Sequence, residues 1–252
     1  MATAPSRIAC SSFQGCLKLL GKRLLTHALL LERQRGDVSR VARALGRLSD
    51  ANRLLGLYEE GIQQAKEASE TFKRLGDRVG QASCLMLLAS SLLDDNQLDA
   101  AEDAVSGMTD LLPGEGREDL VCRSHRLLGL IHFSKKEKEK AIHHFEAATG
   151  IASRFGWHDE LFWNHYNLAN LFRDGDEFND ANAHIERAKP HAVGDTYCLG
   201  RAMEMQAEIW YQQCRFEDAT SEALRALGIY EKVGATKDAD DCKHLIQRMN
   251  NP

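Results

Sequence analysis

Apolar and small residues recur along this chain at a helical spacing, and that pattern repeats over a longer period. In EKEKAIHHFEAA, residues 137–148, Ala141, Phe145 and Ala148 draw one stripe along a helix. Ala101, Val105 and Met108 draw the same stripe, as do Ala181, Ile185 and Ala188, and Ala219, Ala223 and Ala226. The step between stripes is 40 residues, shortening to 38 at the last, and one step before Ala101 stands Gly61. A second stripe precedes each anchor, at 16, 13, 12 and 9 residues before it. It reads Leu45, Leu48, Ser49, Asn52, then Leu85, Leu88, Ala89, Leu92, then His125, Leu128, Gly129, His132. The last two copies read His165, Leu168, Ala169, Phe172 and Met203, Gln206, Ala207, Trp210. A small residue among large ones on one face lets two helical ridges cross closely. The pattern therefore predicts five helix pairs, at 37–55/58–75, 78–95/97–112, 117–134/137–154, 158–174/177–192 and 196–213/215–233.

Turn chemistry falls where the pattern breaks. Gly36-Asp37, Gly76-Asp77 and Gly194-Asp195 pair a left-handed C-terminal cap with an N-cap for the next helix. Asp94-Asp95-Asn96, Ser134-Lys135-Lys136 and Asp174-Gly175-Asp176 mark tight turns inside copies, and LLPGEG at 111–116 is a looser break. Pro190 should end or kink a helix. Residues 1–13 read as disordered. Residues 14–36 read as the second helix of an incomplete copy, with leucines over more than half its surface, which calls for neighbours on more than one side. Residues 235–252 carry Ala239, Cys242, Leu245, Ile246 and Met249 on one face and read as a capping helix and tail.

The two stripes resemble the tetratricopeptide repeat, whose signature is W-x2-L-G-x2-Y, then A-x3-F, then P. The resemblance covers roughly residues 37–235 and implies an all-α, right-handed α-solenoid. Its five copies are 37–76, 77–116, 117–156, 157–194 and 195–234. The unit is longer than the usual ~34 residues and the closing Pro is mostly missing, so both helices of each copy run about one turn longer than usual. ANRLLGLYEEGIQQAKEA and the long unit resemble more specifically the C-terminal arms of fungal STAND-type (NACHT or NB-ARC) ATPases. In that family the arm senses a ligand and restrains a nucleotide switch, and no switch domain is present in these 252 residues.

Composition narrows the reading. The chain is 43% hydrophobic and 27% charged with a formal net charge of −5, which argues against a nucleic-acid footprint. Seven cysteines, odd in number and without a C-x-x-C pair, fit a reducing, cytoplasmic setting. No apolar run is long enough to cross a bilayer. No P-loop, G-x-S-x-G or H-E-x-x-H motif occurs. His125/His132, His158/His165 and His184/His191 are each seven apart, and helix packing explains them better than a metal does.

What remains is a surface. By the resemblance, first helices line a concave groove. The residues read onto it are Arg43, Arg47 and Arg53 in the first copy, and Arg123, Arg126 and Phe133 in the third. Trp163, Tyr166, Asn170 and Arg173 follow in the fourth, and Arg201 and Tyr211 in the fifth, where Glu204 and Glu208 make that end acidic. Arginine and aromatic side chains anchor interfaces. The expectation is a non-catalytic scaffold or sensing arm, without cofactor or metal. It binds a protein or peptide that is acidic with a large apolar anchor, and it self-associates through the N-terminal helix. The alternatives are a fragment of a STAND-type ATPase and, further off, a helical-repeat enzyme.

Overall fold

The computed structural model describes residues 13–112, 116–194 and 196–250. Twelve α-helices and no strand occur among them. They are α1 (Phe13–Arg35), α2 (Val38–Leu54), α3 (Tyr58–Leu75), α4 (Arg78–Asp94), α5 (Leu98–Thr109) and α6 (Glu118–Ser134). Then come α7 (Lys138–Phe155), α8 (His158–Asp174), α9 (Phe178–Ala188), α10 (Thr196–Gln212), α11 (Phe216–Val233) and α12 (Thr236–Asn250). The predicted helix bounds are met to within a few residues. The disorder read for 1–13 lies outside the described residues, except at Phe13, which opens α1. Pro190 acts as expected: α9 stops at Ala188, and a 3₁₀ turn, Lys189–His191, follows. The helix read to 112 stops at Thr109 instead, and Leu111 and Leu112 pack beside Met108 and Leu120.

Backbone conformation repeats with the sequence. Gly36, Gly76, Gly116, Gly156, Gly194 and Gly234 all have positive φ and close the second helix of a copy or its turn. Asp37 and Asp77 then accept from the backbone N–H of Arg40 (3.0 Å) and Gly80 (2.8 Å), as N-caps do. The cap expected of Asp195 and residues 113–115 of the looser break lie outside the described residues. Within copies a second left-handed position recurs at Gly56, Asn96, Lys136, Asp176 and Cys214. A tight antiparallel reversal needs that conformation whatever residue occupies it.

The helices form two compact units, 1–137 and 138–252, and each has its own core. In the first, each of α1–α6 packs on its chain neighbours, and α2, α4 and α6 also pack side by side. Leu29, Leu45, Leu48 and Phe72 centre one cluster, and Leu92, Ala101, Val105 and Ile131 another. The anchor Gly61 shows why that site is small. A Cβ there would stand 3.1 Å from the carbonyl oxygen of Ser49, whose hydroxyl donates to the Gly61 carbonyl at 2.7 Å. His132 is buried with its ring nitrogen 2.7 Å from Glu137, a packed and satisfied histidine. Among the α1 residues whose burial is described only Leu29 is buried, whereas Leu20, Leu24, Leu30 and Leu31 are exposed.

In the second unit, α7–α12 pack on successive neighbours, and α8, α10 and α12 touch side by side. Ala141, Ala181 and Ala219 are fully buried, as are Phe145, Ile185 and Ala223 four residues on. The capping helix α12 turns Ala239, Cys242, Leu245 and Met249 onto Ala226 and Tyr230. Cys84 and Cys242, one in each unit, are thiols pushed up to about 12, chiefly by burial. They are small packing residues rather than nucleophiles.

Candidate functional site

The first unit carries a cleft of about 260 Å³ where α2, α4 and α6 lie side by side. Met86, Leu93, Leu127 and Leu130 give it apolar walls, and Arg53, Arg123 and Arg126 give it charge. Arg53 is engaged: it donates to Asp50 (2.9 and 3.1 Å) on its own helix and to Asp94 (2.8 Å) on α4. Both aspartates line the same cleft. Arg123 is exposed and Arg126 half-buried. Phe133, further along α6, is half-buried with the Lys136 ammonium 5.7 Å from its ring centre.

Arg43 and Arg47 belong elsewhere. They line a second cleft of about 370 Å³ between α1 and α2, with Leu25, Ala28 and Glu32 opposite. Both are exposed, and among the described residues neither is in an ion pair. Arg43 donates to the Ser39 hydroxyl at 3.2 Å. Arg47 stands one position later in its copy than Arg126 and Tyr166 do in theirs. Gly46, buried against Leu87 and Cys84, holds the equivalent place. Arg43, Arg47 and Arg53, read onto one groove, are thus divided between two clefts.

The second unit turns its expected groove residues into a closed network. Tyr166 is only 8% exposed, edge-on to Trp163 and beneath the Arg201 guanidinium, 5.5 Å from its centroid. Arg201 also faces Glu204 (3.8 Å) and Asp238 (3.6 Å). Tyr230 donates to Glu204 at 2.7 Å and Tyr197 to Asp238 at 3.1 Å. Burial pushes the Glu204 carboxyl above its ordinary value, against the hydrogen bond from Tyr230 and the charge of Arg201. Burial and the nearby Asp238 push the Tyr197 hydroxyl up to about 12. Arg173 bonds Glu208, and it donates to Asn170 at 2.6 Å and Asp174 at 3.1 Å. Tyr211 is half-buried, edge-on to Phe216. Arg173 and Arg201 are therefore both neutralised inside the unit, a charge balance the sequence reading missed. One sign of it was legible. Tyr230 puts a hydroxyl eleven residues after its anchor, where Phe72 and Ala152 stand in other copies, and a hydroxyl in a core needs a partner.

Among the described residues no three His, Cys, Asp or Glu side chains are placed to hold a metal ion, and no helix is long and apolar enough to cross a membrane.

No family model matches the chain, and no curated protein does. Solved structures do. BtubC from P. vanneervenii superposes with a TM-score of 0.70 at 17% identity, over 86% of this chain and 92% of that one. A Rap protein complexed with Competence and Sporulation Factor gives 0.70 at 12% identity, over 95% and 72%. PH0952 from Pyrococcus horikoshii, a STAND protein with a tetratricopeptide repeat sensor, gives 0.69 at 14% identity, over 91% of this chain and 37% of that one. The chain has the tetratricopeptide-type helical-repeat fold.

Proposed function

We propose that this chain is a non-catalytic interaction module, and that the cleft between α2, α4 and α6 takes a protein segment pairing an acidic side chain with a large apolar one. The observation that carries the reading is the meeting of Arg123 and Arg126 with a wall of Met86, Leu93, Leu127 and Leu130 in one concavity. Guanidinium groups take carboxylates in two-pronged hydrogen bonds, and an apolar wall takes an aliphatic or aromatic anchor. At about 260 Å³ the cleft is below the roughly 300–1,000 Å³ of small-molecule sites, and its size suits a single side chain of a docked segment. The Rap protein solved with Competence and Sporulation Factor supports a binding role for this architecture. The buried, neutral thiols of Cys84 and Cys242 suit a reducing, cytoplasmic setting.

The test is capture of partners from the source organism by the wild-type chain and by Arg126→Glu. The variant keeps its fold, loses the partner by tenfold or more, and the wild-type affinity falls as salt rises. A partner whose affinity ignores both salt and Arg126→Glu overturns the reading. A second reading, favoured by the likeness to PH0952, makes the chain the sensing arm of a STAND-type ATPase. It requires a nucleotide-binding domain in the same polypeptide, which sequencing of the full-length transcript tests.

A further inference from the structure

Four histidines meet in the second unit. His158 and His165 stand two turns apart on α8. His184 on α9 and His191 in the 3₁₀ turn stand opposite them in the antiparallel hairpin. Nδ1 of His158 lies 3.0 Å from Nδ1 of His191, and Nδ1 of His165 lies 3.2 Å from Nδ1 of His184. The rings of His165 and His191 stack at 6.4 Å, joining the two pairs into one row. In both pairs the two imidazoles face each other directly through Nδ1.

We propose that these four histidines form an acid-released clasp between α8 and the segment running from α9 into the 3₁₀ turn. Each pair needs one ring to donate its Nδ1–H and the other to accept with a bare Nδ1 lone pair. A single added proton keeps that bond. A second leaves N–H facing N–H at about 3 Å with two like charges side by side, and the pair must part.

The surroundings favour the neutral state. Arg187 on α9 works against a proton on His165 and His184, while Asp180 on α9 favours one on His184. Phe172 of α8 stacks on His184 and offers no acceptor, and its ring also carries the Lys138 ammonium of α7, itself paired with Glu177. Beside His191, Lys189 is tied to Glu186 on α9, to Gln206 on α10 and to Glu222 on α11. Burial, then the neighbouring His184, His191 and Arg187, hold His165 down to about 4. Burial first, then Arg187, lowers His184, and burial, then His158, lowers His191. Because the folded state binds these protons less readily than the unfolded chain, the clasp's contribution is complete above the ordinary 6.5. It drains away as pH falls toward about 4.

Hydrogen exchange of the full chain between pH 7.5 and 4.5, corrected for intrinsic rate, tests this. Peptides from α8, α9 and the 3₁₀ turn lose at least tenfold in protection on acidification, while those from α2–α4 do not. His184→Gln with His191→Gln keeps polar contacts but does not titrate, and it flattens that selective loss. Should that pair fail to fold, His191→Gln alone halves the effect at the outer pair. A uniform loss across the chain, or the same selective loss in the Gln variant, overturns the clasp. A zinc-dependent rise in Tm at pH 7.5 that the Gln variant lacks also overturns it, by making the pairs metal ligands.

Discussion

Cys214 and Lys136 hold left-handed backbone, at φ 60° and 63°, where Gly56 stands in the first copy. A side chain with a Cβ meets steric cost there, of about 1–2 kcal/mol. Cys214 is exposed, so its replacement disturbs no core. Cys214→Gly is expected to raise stability by about 0.5–1 kcal/mol, the relief being partly offset by the added freedom of the unfolded chain. A denaturant midpoint that stays level or falls would show that the turn tolerates the thiol without strain. The position was invisible in composition, because Gly, Asn, Lys, Asp and Cys share no chemistry. Only the backbone angle unites them.

At the scale of the element, α1 is the anomaly. Its inner side gives Leu29 and Leu25 to the core with α2, and its outer side leaves Leu20 52% exposed and Leu24 63% exposed. Contiguous exposed apolar surface marks association. The chain is therefore expected to self-associate through α1, and Leu20→Glu with Leu24→Glu to reduce that association in sedimentation velocity. A monodisperse monomer at high concentration, with α1 resistant to proteolysis, would count against it. The leucine content of this segment was plain in the sequence. Which leucines faced α2 depended on how the helix was rolled against it.

For the molecule as a whole, the division into two compact units predicts separable stability. Ala101 in the first and Ala141 in the second are both fully buried. Ala101→Arg or Ala141→Arg overpacks a buried site and buries a charge, and should cost more than the roughly 1–3 kcal/mol of overpacking alone. Each substitution is expected to cut hydrogen-exchange protection mainly in its own unit, 1–137 or 138–252. Equal loss throughout would mean that the chain unfolds as one cooperative block. Unchanged thermal stability in either variant would mean that the repeat was aligned wrongly.

Periodicity alone determined the helix pairs, the small residues at the crossings and most of the turns. Those features rest on contacts within a copy or with the next one, and a stripe such as Ala141, Phe145, Ala148 encodes them locally. The candidate face was legible only as a set of residue types. Tertiary structure decided that Arg53 is held by Asp94 of the next copy, and that Arg43 and Arg47 line a different cleft. It also decided that Arg201 is enclosed by Tyr166, Glu204 and Asp238 from three helices. Whether a guanidinium stays open to a partner depends on which carboxylates the neighbouring helices bring within about 4 Å, and a one-dimensional pattern does not carry that information.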